Sequence, residues 1–309
     1  MKQGIVYRST GSWYSVKANN NFYDCRIVGK FRLKGIKSTN PVAVGDRVEF
    51  EIDSENSEPV GIIYSILERK NYLVRRSVNL SKRTHVIAAN IDQAFLLITL
   101  KEPPTLPAFI DRFIVAAESH QIPVTLLFNK MDTYTPQEIA QVETLKNVYN
   151  KIGYKTHTLS AIKKTGVQKV ERMMQNKVSM ISGHSGVGKS TLINAIAPNL
   201  DLKTASISKQ HMQGQHTTTF AEMYDLEGTI SIIDTPGIKG FGVVNIEPEE
   251  MAHFFPELLA HSEKCKFHNC MHIKEPECKV LKALEKGEIA ASRYSSYIQL
   301  LKEDSTYRK

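Results

Sequence analysis

Apolar residues in the first 70 positions come in short alternating runs: "GIVYRS", "WYSVKA", "FYDCRIV", "RVEFEI" and "VGIIYSILE". Period-two alternation marks strands with one buried face, and the Gly, Asn, Pro and Asp clusters between them ("NNN", "NPVAVGD") mark turns. Five such strands predict a small closed β-barrel of the OB-fold type. After residue 91 the rhythm changes. Wholly apolar runs ("DQAFLLITL", "PVTLLFNK", "VSMISG") and "KTHTLSA" alternate with stretches whose apolar residues recur every three or four positions, as in "PAFIDRFIVAAESHQ", "TPQEIAQVETLKNVYNKIG", "GVQKVERMMQNK" and "GKSTLINAIAP". That pattern predicts an α/β unit, a doubly wound parallel sheet with helices on both faces. "TFAEMYDL" and "TISIIDTPG" add a hairpin. The last stretch predicts two helices, "EPEEMAHFFPELLAH" and "CKVLKALEKGEIAASRYSSYIQLLKE", around a Cys/His cluster. The expected division is a barrel over 1–70, a nucleotide-binding α/β domain over 71–247 and a helical metal-binding domain over 248–309.

Composition leaves that picture unchanged, with 41% hydrophobic and 23% charged residues in a chain of 309. No apolar run approaches the roughly 20 residues of a membrane helix, and the start lacks a signal-peptide apolar core. A monomeric, cytoplasmic protein without membrane contact is expected. Charge does add something. Residues 1–85 carry 15 Lys+Arg against 8 Asp+Glu, residues 86–247 carry 15 against 14, and residues 248–309 carry 10 against 10. The net charge of +8 thus lies almost wholly in the barrel quarter, which favours a polyanion such as nucleic acid or anionic lipid. There Tyr7, Trp13, Tyr14, Phe22, Tyr23 and Phe31 interleave with Arg8, Lys17, Arg26, Lys30 and Arg32, the mix that stacks bases and tracks phosphates. The segment "RKNYLVRRSVNLSKRTHVIAAN" reads as a basic connector whose Arg69, Lys70, Arg75, Arg76, Lys82 and Arg83 extend the same surface.

"GHSGVGKST", Gly183, His184, Ser185, Gly186, Val187, Gly188, Lys189, Ser190 and Thr191, fits G-x-x-x-x-G-K-[ST] between a strand and a helix. Its backbone N–H groups cradle phosphate oxygens, Lys189 reaches the β- and γ-phosphates, and Ser190 holds Mg²⁺. "SIIDTPG" supplies Asp234 for Mg²⁺, through water, and the Gly237 N–H for the γ-phosphate. "NKMD" selects the base: the Asp132 carboxylate accepts from guanine N1–H and N2–H₂, Asn129 ties the base edge to neighbouring loops, and the Lys130 stem covers the ring. The backbone of Ser160 and Ala161 in "TLSA" meets the guanine oxygen, which favours GTP over ATP. "GQHTTT", Gly214 to Thr219, occupies the switch position. Thr218 is the first choice to complete the Mg²⁺ shell, with Thr217 and Thr219 as rivals. Ile238 stands where many GTPases carry a water-orienting Gln, which leaves His216 as the nearest candidate catalytic group. Cys265, Cys270, His272 and Cys278, in C-x₄-C-x-H-x₅-C, form a Cys₃His set suited to a closed structural Zn²⁺ site. His268 is an alternative ligand, with His253 and His261 nearby.

The base motif precedes the phosphate loop, the reverse of the ordinary order. A doubly wound sheet tolerates this, because function depends on which loops meet at the carboxyl ends of the strands. The segment after Asp234 then leads through "IKGFGVVNIEPEE" into the zinc-bearing tail, so loss of the γ-phosphate is expected to reposition that tail.

The basic barrel, the permuted motif order, "GQHTTT", "DTPGI" and the Cys₃His spacing together resemble the RsgA (YjeQ) family of bacterial small-ribosomal-subunit biogenesis GTPases, over essentially the whole chain. The resemblance implies an OB-fold, a permuted GTPase domain and a zinc-finger domain assembled on late 30S particles. It also implies 16S rRNA contact, subunit-stimulated hydrolysis of GTP to GDP and phosphate, release afterwards, a catalytic histidine at His216 and the four zinc ligands above. A nucleotide-gated binding protein with incidental hydrolysis is the competing expectation that Ile238 keeps open.

Overall fold

The computed structural model describes residues 1–27, 41–53, 59–76, 84–200, 221–226, 229–235, 243 and 246–307. Val6, Tyr14, Val16, Cys25, Val48, Phe50 and Ile63 share one buried cluster, supplied by β1 (Lys2–Ser9), β2 (Tyr14–Ala18), β3 (Asn21–Ile27), β4 (Arg47–Asp53) and β5 (Val60–Ile66). The strands run in the order β1-β2-β3-β5-β4, and β4 returns to pair with β1. With β3 and β5 parallel and the other neighbours antiparallel, this is a five-stranded OB barrel.

The basic connector is not plain coil. It contains a hairpin, β6 (Tyr72–Arg76) and β7 (Thr84–Ala89), which joins the barrel through a Val44–Ala88 bridge. Nor is Arg69 a surface cation. Its guanidinium forms a two-pronged bond to the buried Asp46 carboxylate, both at 2.7 Å, and a third to the Pro41 carbonyl. Lys70 pairs with Asp92. The side chains of Arg75 and Arg76, and all of Lys82 and Arg83, lie outside the described residues.

The second unit comprises β8 (Gln93–Ile98), α1 (Pro107–Glu118), β9 (Val124–Phe128), α2 (Pro136–Lys151), β10 (Lys155–Thr158), α3 (Val167–Met174), β11 (Lys177–Ser182), α4 (Lys189–Ile196), β12 (Glu222–Leu226) and β13 (Ile230–Asp234). Sheet order is β10-β9-β8-β11-β13-β12, with five parallel strands and an antiparallel β12 that pairs onward with β1 of the barrel. β8 shows why both faces are covered. Its Ala94, Leu96 and Ile98 pack with Ile110, Phe113 and Tyr149 of α1 and α2, whereas Phe95 and Leu97 pack with Val170, Met174, Leu192 and Ile193 of α3 and α4. The chain winds outward from β8 to β10, then returns to lay β11 against β8. The strand order reverses between these two, so the cleft opens at their carboxyl ends.

Two predicted tail helices are each broken. The first becomes a 3₁₀ segment, Pro248–Phe254, followed by α5 (Pro256–Ser262), because Pro256 lacks the N–H a continuous helix needs. The second becomes α6 (Lys279–Glu285) and α7 (Ala291–Tyr307), parted at Gly287 with φ +72°. The tail packs on α1. Val115 lies in the tail's core beside Phe255 and Tyr297. Arg293 of α7, about 1% exposed, binds Asp111 of α1 at 2.7 Å and Glu257 of α5 at 2.6 Å. Tyr149 donates to the same Asp111 oxygen at 2.8 Å. Burial works against the Arg293 charge, but Asp111 and Glu257 outweigh it, so the guanidinium stays protonated.

Candidate nucleotide site and metal centre

Three loops from three strand ends converge on one side chain. Asn129, just past β9, donates from Nδ2 to the Val187 carbonyl of the phosphate loop at 2.8 Å, and its Oδ1 accepts the Ala161 N–H at 3.0 Å. Buried Asn129 thereby ties the base loop to both partners. The approach is close enough that a Cβ on Gly188 would lie 2.4 Å from Asn129 Nδ2, and Gly188 also adopts φ +101°. Only glycine meets both conditions.

Asp132 is exposed at the mouth, and its Oδ1 accepts from Ser160 Oγ at 2.5 Å. The same hydroxyl accepts the Lys163 N–H at 3.0 Å, so Ser160 braces the carboxylate and its own loop together. The Lys130 ammonium bonds the Glu102 carbonyl, which lays its stem along the loop between β8 and α1. Tyr134, not singled out from the sequence, completes the support. Its buried hydroxyl accepts the Leu100 N–H at 2.8 Å and donates to the Asn129 carbonyl at 3.0 Å. A tyrosine in the short link before α2 carries no sequence signal for that role.

The phosphate loop runs from β11 into α4. Lys189 Nζ donates to the Gly183 and His184 carbonyls at 2.8 and 2.9 Å, which spans the loop. Burial lowers its pKa, with the Asp234 charge pulling the other way. Asp234 ends β13 beside it; burial raises its pKa, Lys189 opposes, and Glu222, directly across the ladder, adds to the rise. Asp234 Oδ1 is buried with no hydrogen-bond partner among the described residues. A buried carboxylate oxygen beside Lys189 and the Ser190 loop has the donor chemistry for a hard divalent cation. The His184 ring stacks on Phe109 of α1 at 3.9 Å between centroids. His216, Thr217, Thr218, Thr219, Gly237 and Ile238 lie outside the described residues.

In the tail, the ligand atoms of Cys265, Cys270, His272 and Cys278 all fall within 4.8 Å of one another. Cys265 Sγ is 3.9 Å from Cys278 Sγ, and His272 Nδ1 is 3.8 and 3.4 Å from these two sulfurs. Zn–S bonds of ~2.3 Å in a tetrahedron place sulfurs ~3.8 Å apart, so the set fits such an ion. The surrounding contacts hold it in shape. Glu275 accepts the N–H groups of Met271, Ile273 and Lys274, while Tyr294 and Tyr297 donate to the His272 and Met271 carbonyls, both at 2.8 Å. Of the alternative histidines, His261 faces Glu288 instead, and His253 and His268 stand outside the cluster.

Barrel residues singled out earlier separate into three roles. Tyr14 is core, fully buried. Tyr7 and Lys17 bind Asp225 of β12 at 2.7 and 2.5 Å, and Arg8 pairs with Glu222 at 2.9 Å, joining barrel to sheet. Trp13, Phe22 and Arg26 remain on the surface. Lys30, Phe31 and Arg32 lie outside the described residues.

An OB barrel on a permuted phosphate-loop sheet, with base and phosphate motifs brought together at the switch point, defines a circularly permuted GTPase. The chain belongs to the RsgA GTPase family, whose model matches residues 66–244, with the RsgA N-terminal domain model on residues 3–63; it is a GTP hydrolase. It is 59% identical over 308 residues to the small ribosomal subunit biogenesis GTPase RsgA of Christiangramia forsetii, covering 99% of this chain and 98% of that one. Against the protein of the same name from Flavobacterium johnsoniae it is 56% identical, covering 98% and 94%. Among solved structures, YjeQ from Thermotoga maritima superposes with TM-score 0.76 at 34% identity, covering 98% of both chains. YloQ, described as a circularly permuted GTPase, gives TM-score 0.71 at 28% identity, covering 100% and 96%.

Proposed function

We propose that this protein binds the small (30S) ribosomal subunit during its late maturation, in the bacterial cytoplasm, and hydrolyses GTP when the subunit stimulates it. The observation that carries the reading is the bridge Asn129 makes between the phosphate loop and the Ser160–Ala161 loop, set beside a basic barrel. The working division is a barrel to residue 70, a GTPase domain to 247 and a zinc domain beyond, acting as a monomer. Asp132, Asn129, Lys130, Ser160 and Ala161 hold guanine. Residues Gly183 to Thr191, with Gly237, hold the phosphates. Ser190, Thr218 and Asp234 would hold Mg²⁺, which supplies charge neutralisation at the β- and γ-phosphates. Cys265, Cys270, His272 and Cys278 would hold one structural Zn²⁺, and the barrel contacts 16S rRNA.

His216 orients the attacking water in this reading, since the aliphatic Ile238 has no group to do so. The test is GTP turnover with and without purified 30S subunits, at low and moderate salt, for the wild type and His216→Ala. Strong, salt-sensitive stimulation that the variant loses is the expected result. Stimulation that survives the substitution moves the catalytic group elsewhere, and no stimulation of the wild type removes the subunit-triggered reading in favour of a nucleotide-gated binder.

A further inference from the structure

Between the outer face of the barrel and β12 lies a cleft of about 510 Å³, within the range of roughly 300–1,000 Å³ that small-molecule sites occupy. Trp13, Phe22 and Tyr224 line it with aromatic rings, and Arg8, Asp24 and Glu222 with charged groups. Two of these rings are large apolar side chains left in water: Phe22 is 58% exposed and Trp13 37%. Both are also held in place. Trp13 sits at the end of the β1–β2 turn, locked by three hydrogen bonds with Thr10, and the Arg26 guanidinium lies 3.9 Å from its ring centre. Phe22 is braced edge-on by Tyr7, with centroids 5.3 Å apart, and by the Lys17 ammonium. Exposed rings held in place beside cations are stacking platforms, because a flat partner meets them at little entropic cost.

We propose that this cleft takes one unstacked base of single-stranded RNA, stacked on the Trp13–Phe22 wall. The inference rests on the RNA-contact reading of the barrel above and names which form of RNA it takes and where. Three observations select this occupant. Positive charge concentrated in residues 1–85 draws a polyanion to the barrel, and Arg26 and Lys17 stand beside the two rings. The Asp24 carboxylate in the lining repels a phosphate but accepts from the amino group of a base edge, as carboxylates do with cytosine N4, whereas Glu222 is already engaged by Arg8 and Tyr224. A duplex keeps its bases stacked and has no ring to offer the wall. Glu222 of β12 stands directly across the ladder from Asp234 of β13, so a base in the cleft lies against the strand paired with the one that carries Asp234.

Trp13 is the single tryptophan of the chain, so its fluorescence reports the cleft without labelling. The experiment titrates the full-length, GDP-loaded protein with a single-stranded hexanucleotide mixing cytidine and adenosine, and with an RNA duplex of the same composition. Saturable, salt-sensitive quenching by the single strand and not by the duplex is expected. Phe22→Ala and Arg26→Ala, both surface changes that leave Trp13 in place, should each weaken binding by about tenfold, the loss of one stacking partner. Tyr64→Ala, an exposed ring on another strand, should leave it unchanged. No saturable quench, equal quenching by duplex, or unaltered affinity in both cleft variants overturns the proposal. The readout uses free protein, so it is independent of whether 30S subunits stimulate turnover. A missing quench alongside normal subunit stimulation would sink the cleft and leave the proposed function standing.

Discussion

Gly188 shows how narrowly the nucleotide site is built at the level of single atoms. A methyl group there would meet Asn129 Nδ2 at 2.4 Å, on a backbone with φ +101°. Left-handed strain alone costs about 1–3 kcal/mol, and displacing Asn129 also frees the Val187 carbonyl and the Ala161 N–H. Gly188→Ala should therefore weaken GDP binding by more than about a hundredfold, measured by titration with a fluorescent GDP analogue, while the barrel keeps its melting behaviour. A loss below about tenfold would show that Asn129 can shift without consequence. At this scale much of the site was legible, because phosphate loops and NKxD motifs are short local patterns whose chemistry depends on fixed spacing. What escaped were supports without spacing. Tyr134 acts through one hydroxyl bonded to two backbone groups, and Arg69 looks in sequence like any other cation of the basic stretch, although Asp46 holds it buried.

At the scale of elements, the barrel and the alternating α/β unit followed from period and turn chemistry, and both breaks in the tail helices had visible causes in Pro256 and Gly287. The β6–β7 hairpin did not follow, because arginines and lysines around Tyr72–Val74 and Val86–Ala89 mask a short alternation. The Cys₃His segment is the element most dependent on something beyond its own packing. Between α5 and α6, residues 263–278 contain no helix or strand. Their order rests on the Glu275 carboxylate, two tyrosine hydroxyls and the four ligand side chains. Structural zinc in such segments is coupled to folding. Stripping zinc with a strong chelator should therefore abolish the early, C-terminal part of the thermal melt. GDP affinity should stay within about twofold, because Asn129, Asp132 and Lys189 take no partner from residues 263–278. A simultaneous loss of GDP binding would mean that the zinc segment also supports the nucleotide site.

Across the whole molecule, the permutation links the end of β13 to the tail, and the sequence led to the expectation that loss of the γ-phosphate repositions that tail. The structure adds a constraint that no local pattern reveals, since Asp111 and Arg293 lie 182 positions apart. Their buried bond, with Glu257 and Tyr149 on the same network and Val115 in the tail's core, fixes the tail to α1. Helix α1 in turn stacks Phe109 on His184 of the phosphate loop. Any reorientation on hydrolysis must then carry α1 and the tail as one body, and the barrel meets that body as well as β12, since Tyr7 and Val44 share a core cluster with Ile110 and Phe113 of α1. Labels at Gln121, just past α1, and Lys286, between α6 and α7, should keep their separation within about 2 Å between GDP and a GTP analogue, the size of ordinary helix shifts. A larger change in the intact protein would show that the clamp opens. Arg293→Ala should release it, because removing one partner of a buried pair costs about 3–5 kcal/mol and leaves carboxylates without counter-charge. In that variant the Gln121–Lys286 distance should broaden in both nucleotide states, and subunit-stimulated turnover should fall while basal turnover stays near wild type. Basal turnover falling in step would instead place α1, through Phe109 and His184, in control of the phosphate loop itself.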